Sequence, residues 1–221
     1  MAKPATKARA PRAQQGSKRT TLLWVLGGVV GLALIVWMAV SIAGEGDIDP
    51  SIALGEVTVE GNNLPFLAEP SADPALGFTA PTVTGTDFDG TTHTVGSDGR
   101  PKILIFLAHW CPHCQAEVPD VQAWLDSGAL PAEVDFYAFT VLNDHLRPNW
   151  PPQEWLEDEA WTPPVIMDDE QGSVVAAYGM RGTPFYVVLD GENRNIGRFS
   201  GQVGVPGLQA MAQIAQDSIG G

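Results

Sequence analysis

Basic residues almost disappear after residue 20, and only two cysteines occur in 221 residues. Six of the twelve Lys and Arg residues (Lys3, Lys7, Arg9, Arg12, Lys18, Arg19) lie in residues 1–20, which hold no anion. Residues 21–221 therefore carry six cations against all 26 Asp and Glu, a net charge of −20. A part that acidic repels nucleic acid and anionic headgroups, which argues against both as its partners. Two cysteines are too few for a disulfide-stapled scaffold, and no second CxxC exists to complete a zinc site. No internal repeat is present. Apolar residues make up 44% of the chain, which rules out a disordered protein. Without a tail, the length suits one domain of about 150 residues.

Charge is also missing from residues 21–44, and residues 22–42 are nearly all apolar. At ~1.5 Å per residue such a run matches a hydrocarbon core of ~30 Å, so it predicts a transmembrane helix. Basic residues precede it and Glu45, Asp47 and Asp49 follow it. The positive-inside rule then places the N-terminus in the cytoplasm and residues 45–221 outside. Ser41-Ile42-Ala43 resembles a signal-peptide cleavage site, but the run exceeds the ~7–15 residues of a signal h-region, favouring an uncleaved signal anchor. Lys18-Arg19 is an imperfect twin-arginine pair. No cysteine follows the run to carry a lipoprotein anchor. Gly27 and Gly31 have small-xxx-small spacing, a weak sign of helix pairing. The expected organisation is a basic cytoplasmic tail over 1–20, a transmembrane helix over 21–44, an extracytoplasmic linker over 45–75 and a folded domain over 76–219. A single-pass protein of the cell membrane follows, with its domain on the oxidising side where cysteine pairs can become disulfides.

Within the exported part, one short strand is expected at 56–60. Residues 82–87 and 91–95 flank Asp89-Gly90, a hairpin turn signal. The apolar run 102–108 (KILIFLA) has the length and composition of a central strand covered on both faces. Val118, Val121 and Leu125 follow at helical spacing. Further strands are expected at 134–142, 164–167, 185–189 and 196–200. Helices are expected at 152–161, at 173–178 before Gly179, and around Leu208, Met211 and Ala215. This order predicts an α/β fold with a mixed sheet flanked by helices. Trp150, Trp155 and Trp161 are expected to pack the 152–161 helix. The acidic runs 157–159 and 168–170 read as solvated faces or helix-start charges rather than calcium ligands.

The chemistry is concentrated in Cys111-Pro112-His113-Cys114, which follows a buried strand and opens a helix. Two intervening residues let the cysteines meet at a helix's first turn. Unpaired N–H groups and the positive end of the helix dipole there favour a thiolate at Cys111. The thiolate is the attacking species in thiol–disulfide exchange. A structural disulfide, or a metal site completed by His109 and His113, is the blander reading, but those histidines lie too close along the turn to surround one ion comfortably.

The run FLAHWCPHCQAEVP (106–119), followed by YGMRGTPFYVVLD (178–190), resembles the thioredoxin superfamily, specifically its membrane-anchored, extracytoplasmic TlpA/ResA-like branch. The resemblance covers about residues 75–218. It implies a thioredoxin fold of four or five strands with an N-terminal hairpin at 87–92. Trp110 would be the aromatic residue before the CxxC, Pro119 the proline that kinks the active-site helix, and Thr183-Pro184 the cis-proline loop facing the cysteines. A cis bond would turn the Thr183 backbone toward an incoming peptide and keep metals off the thiols. Glu117 matches a carboxylate beside the active site in this branch, and a solvated helix glutamate is its alternative reading. His109 is expected to be a strand-end residue. Two departures stand out. The buried acid that many thioredoxins carry would fall at Ile105, and the Pro112-His113 dipeptide is that of strongly oxidising DsbA-type enzymes.

These residues point to a membrane-tethered thiol–disulfide oxidoreductase acting on exported proteins, with the oxidising direction slightly favoured. Cys111 is expected to be the exposed nucleophile, Cys114 the buried resolving thiol, and His113 and Glu117 their catalytic neighbours. The His113 ring is expected to favour the Cys111 thiolate. No cofactor is needed beyond the Cys111–Cys114 disulfide, and a membrane redox partner would recycle it. Alternatives are a reductase of the TlpA/ResA type, as in cytochrome c maturation, and a copper metallochaperone, against which Pro184 argues. A thiol peroxidase is disfavoured because residues 107–110 (LAHW) lack the threonine that peroxidatic sites use.

Overall fold

The computed structural model describes residues 28, 30–32, 50–69 and 72–220. The chain divides into two units, Met1–Ile48 and Asp49–Gly221. In the first, residues 28 and 30–32 are helical. The basic tail and most of the 21–44 apolar run lie outside the described residues. Among the described residues no helix is long and apolar enough to cross a membrane.

The second unit holds two sheets. Strands β1 (Val57–Glu60), β2 (Thr82–Thr86) and β3 (Thr92–Val95) form a small antiparallel sheet in that order. The hairpin turns at Asp89-Gly90, where Gly90 takes φ +78°, a conformation that glycine adopts without steric cost. The main sheet has the order β6-β5-β4-β7-β8, with β4 (Lys102–Leu107) at its centre. Strands β5 (Asp135–Thr140) and β6 (Val165–Met167) run parallel to β4, β7 (Phe185–Leu189) runs antiparallel to it, and β8 (Asn195–Ser200) pairs antiparallel with β7. The helices are α1 (Pro112–Asp126), α2 (Pro152–Asp158), α3 (Ser173–Ala177) and α4 (Gly204–Asp217).

Strand alternation divides the core in two. Ile103, Ile105 and Leu107 of β4 join Tyr186 and Val188 of β7 beneath Val118 and Val121 of α1 and Leu208 and Met211 of α4. Leu104, Phe106, Phe185 and Val187 face the other way, onto Val83 and Val95 of the small sheet and Tyr178 after α3. Because both faces of β4 are covered, its continuous apolar run is required rather than an alternating one. The two sheets approach closely at Gly85, where a Cβ would lie 2.6 Å from Ile166 Cγ2.

The expected linker is a correction. The compact unit begins at Asp49 rather than residue 76, and the 45–75 segment contributes β1 as well as buried Leu64, Leu67 and Ala75. Its low periodicity conceals a set of polar anchors. The buried Arg198 guanidinium pairs with Asp73, and its Nη1 donates to the carbonyls of Pro65 and Tyr178 at 2.8 Å each. Helix α2 also stops earlier than expected, since Ala160 turns to φ +53° and Trp161 N–H reaches back to Leu156 O. Trp155 is buried and Trp161 packs on the same core, in line with their expected role, while Trp150 stands edge-on to His109. Asp168 is not a solvated charge. It is buried and accepts the backbone N–H groups of Val174 and Asp169, so it serves the start of α3.

Candidate active site

The turn after β4 delivers Cys111 to the N-terminus of α1. Its N–H donates to Ala108 O at 2.9 Å, and Cys111 is itself the extended N-cap residue, with Pro112 opening the helix. Proline suits that position because its missing N–H would have no intrahelical partner. Pro119 lies inside α1, as the resemblance implies. Both cysteines are free thiols. Cys111 is less open than expected, at 6% exposed, but Cys114 is fully buried, so the access order is as expected.

Across from the thiols, the Thr183–Pro184 peptide is cis and the Cys111 thiol donates to Thr183 O at 3.4 Å. Burial alone would push the Cys111 thiol up. The Thr183 side chain, the backbone N–H groups of Cys114 and His113, and the Cys114 thiol outweigh it, so its pKa falls below the ordinary thiol value. Cys114 goes the other way. Burial pushes it up to about 12, and the neighbouring Cys111 charge adds to that. One thiolate and one retained proton therefore sit on adjacent sulfurs, a division of labour that thiol exchange can use.

The His113 ring has a partner outside the cysteine pair. Its Nδ1–H donates to Gln202 Oε1 at 2.8 Å, while the part of His113 that favours the Cys111 thiolate is its backbone N–H. That N–H survives in an alanine variant. His113→Ala is therefore expected to move the Cys111 thiolate titration by less than about one pH unit, or about 1.4 kcal/mol. Thiolate absorbance against pH measures this, and a larger rise would show that the ring itself reaches the sulfur.

Glu117 is buried at 1% exposure, which removes the solvated alternative. Its Oε1 accepts the Tyr186 hydroxyl at 2.8 Å and the N–H groups of Val203 and Gly204 at 2.9 and 3.1 Å. It thus satisfies orphan donors at the start of α4 from a neighbouring helix. Tyr186 was missed in the sequence. It is the cross-strand partner of Ile105, the apolar residue standing where many thioredoxins place an acid. The available signal was a lone phenol inside an otherwise apolar strand. Burial and the charge of Glu117 push the Tyr186 phenol far up, so it stays a hydrogen-bond donor.

Trp110 flanks Cys111, half-buried. Its indole N–H donates to Leu142 O at 2.8 Å, and the Arg147 guanidinium lies 4.5 Å over its ring. Among the described residues no group of three or more His, Cys, Asp or Glu is placed to hold a metal ion.

A five-stranded thioredoxin sheet with a free CxxC at a helix N-terminus, facing a cis-proline loop, defines a dithiol protein of the thioredoxin fold. More particularly, residues 75–211 match the Redoxin family, and the chain belongs to it. Soluble secreted antigen MPT53 of Mycobacterium tuberculosis is 35% identical over 91 residues, which is 34% of this chain and 50% of that protein. The thiol:disulfide interchange protein DsbE of Haemophilus influenzae is 26% identical over 118 residues, 52% of this chain and 60% of that protein. The chain thus spans about half the length of the first of these relatives. A solved thiol:disulfide interchange protein of the thioredoxin family from Chlorobium tepidum shares the fold, with TM-score 0.51 and 23% identity over 62% of this chain and 94% of that one.

Proposed function

We propose that this protein is a thiol–disulfide oxidoreductase that oxidises exported proteins through Cys111 and Cys114. The observation that carries the reading is the opposite displacement of the two thiols, Cys111 down and Cys114 up, at the N-terminus of α1. In the forward reaction a substrate thiolate attacks Cys111 Sγ, the Cys111–Cys114 bond breaks, and Cys114 leaves and takes up a proton. A second substrate thiolate then attacks the mixed disulfide. The substrate keeps the new S–S bond, and Cys111 departs as the stabilised thiolate. A thiolate that is a good leaving group speeds this second step, and stabilising the reduced form makes the disulfide a stronger oxidant.

Residues 21–44 tether the domain to the membrane in this proposal, with the acidic part outside and a membrane redox partner restoring the disulfide. The charge asymmetry around the apolar run supports the placement. The name of the mycobacterial relative, a soluble secreted antigen, fits a domain outside the cytoplasm and carries no weight for the tether. The test is the redox state of the two cysteines in intact cells, read by thiol trapping, together with glutathione equilibration of the protein. Mostly oxidised cysteines are expected, with a potential nearer ~−120 mV than ~−270 mV. Mostly reduced cysteines would turn the reading to a reductase of the TlpA/ResA type.

A further inference from the structure

Two residues before Cys111, the His109 ring is fully buried and both its nitrogens are engaged by one loop. Nδ1–H donates to Pro148 O at 2.8 Å, and Nε2 accepts the Asp144 backbone N–H at 3.2 Å. Only the neutral ring with its proton on Nδ1 can do both. Other bonds tether the loop at its two ends. Asn143 Nδ2 donates to Ala53 O at 2.8 Å, and Asn149 Nδ2 donates to His109 O at 3.1 Å. Between those tethers, residues 144–148 are joined to the domain interior by the imidazole. This span carries Arg147, which lies over Trp110, and Leu146, which is 82% exposed. Leu142 enters the loop at φ +55°, a left-handed conformation unfavourable for a leucine.

We propose that His109 is a positioning residue, a neutral latch that holds residues 144–148, and with them Arg147, against Trp110 beside the reacting cysteine, and that protonation of its ring releases them. A proton on Nε2 converts the acceptor of the Asp144 N–H into a second donor facing the first. The groups around the ring set the balance. Burial lowers its proton affinity, while the bond to Pro148 O and the Asp144 carboxylate raise it, and the net direction is down. Asp144 is itself paired with Arg147 at 3.3 Å, and His145 stands edge-on to Trp150, the ring that His109 also touches. Cys111 lies two residues along the turn, and α1 contributes the neutral Gln115, whose amide donates to His109 O at 3.1 Å. With the closed-loop pKa below the ordinary 6.5 and the open-loop value near it, the closed form is fully favoured above about pH 6.5 and weakens as the pH falls below that.

The consequence for exchange at Cys111 rests on the function proposed above, whereas the latch can be read without it. Amide hydrogen exchange of the full chain at about pH 7.5 and about pH 5, corrected for intrinsic rates, reports on residues 144–147, with α1 as an internal control. Wild-type protection at 144–147 is expected to fall between the two, by at most about thirtyfold, since each pH unit below 6.5 can add up to a factor of ten to opening, while α1 stays constant. In His109→Gln the pH dependence should disappear, and in His145→Gln it should persist. Equal wild-type protection at both pH values, or loss of the effect in His145→Gln, would overturn the proposal, and the wild-type and His145→Gln arms decide it even where His109→Gln does not fold. Disulfide exchange measured on the same sample at the higher pH tests the functional reading separately. A protein inactive there, yet still unlatching in acid, loses that reading and keeps the latch.

Discussion

Cys114→Ala is expected to accumulate reducible high-mass adducts through Cys111, and Cys111→Ala to accumulate none. The asymmetry follows from burial and proton affinity together. Cys111 is the thiol with some exposure and a depressed pKa, so it supplies the thiolate that attacks a disulfide. Cys114 is fully buried and pushed up to about 12, so it neither meets a substrate nor ionises unaided. Its value lies in position. Once a mixed disulfide forms at Cys111, an intramolecular thiol has an effective concentration far above the millimolar thiols outside. Even a small part of the ~10⁵–10⁸ M found for well-oriented groups would leave release of that mixed disulfide without Cys114 at least about a thousandfold slower. That corresponds to about 4 kcal/mol of barrier. Non-reducing gels of cells expressing each variant, with and without reductant, are the measurement. Equal trapping by both variants would reverse or abolish the assigned roles.

The parts of this site that were legible in the sequence are those fixed by local rules. An apolar run followed by CPHC and a helical period dictates strand, turn and helix N-terminus in succession, and the thiols can then occupy only one place. The Thr183-Pro184 loop was readable for the same reason, as a motif ahead of a second apolar strand. What stayed hidden depends on side chains meeting across long stretches of chain. Glu117 looks the same in sequence whether solvated or buried, and only the arrival of Tyr186, Val203 and Gly204 from β7 and the start of α4 decides it. The ring partner of His113 is equally hidden, because Gln202, in the segment after β8, is 89 residues away. His109 was read as a strand-end residue since nothing local marks the loop that closes on it. The 45–75 segment misled most, because irregular backbone anchored by one arginine has no period to detect.

That arginine carries the second large expectation: Arg198→Ala should lower the unfolding midpoint by roughly 6–20 °C. The substitution removes every partner that Arg198 supplies to Asp73, whose side chain is 10% exposed, and strips a donor from the carbonyls of Pro65 and Tyr178. Deleting one member of a buried pair costs about 3–5 kcal/mol because the remaining charge is left uncompensated. In a domain of this size each kcal/mol moves the midpoint by about 2–4 °C. Asn195 Nδ2 still donates to Asp73 at 2.9 Å, which offsets part of the loss. Replacing both charges, as Arg198→Met with Asp73→Asn, should recover much of the stability, since the penalty belongs to the orphaned ion more than to the lost attraction. Acid distinguishes the variants further. Burial raises the Asp73 carboxyl, but Arg198, Asn195 and the Ala75 N–H lower it more, so its folded value lies below 3.8. The stabilisation it gives is complete above that value and is lost as the pH falls through the folded one. Wild type should therefore lose this contribution only in strong acid, and the double variant should show no such loss. Thermal unfolding followed by circular dichroism at neutral and acidic pH measures both effects. A fall of less than about 3 °C in Arg198→Ala would mean that Leu64, Leu67 and Asp73 are held in place without the arginine. The functional readout lies at Tyr178, whose carbonyl Arg198 holds at the head of the segment leading to Thr183. Below its midpoint, Arg198→Ala should still fold, yet a loosened Thr183 would raise the Cys111 thiolate titration toward the ordinary thiol value.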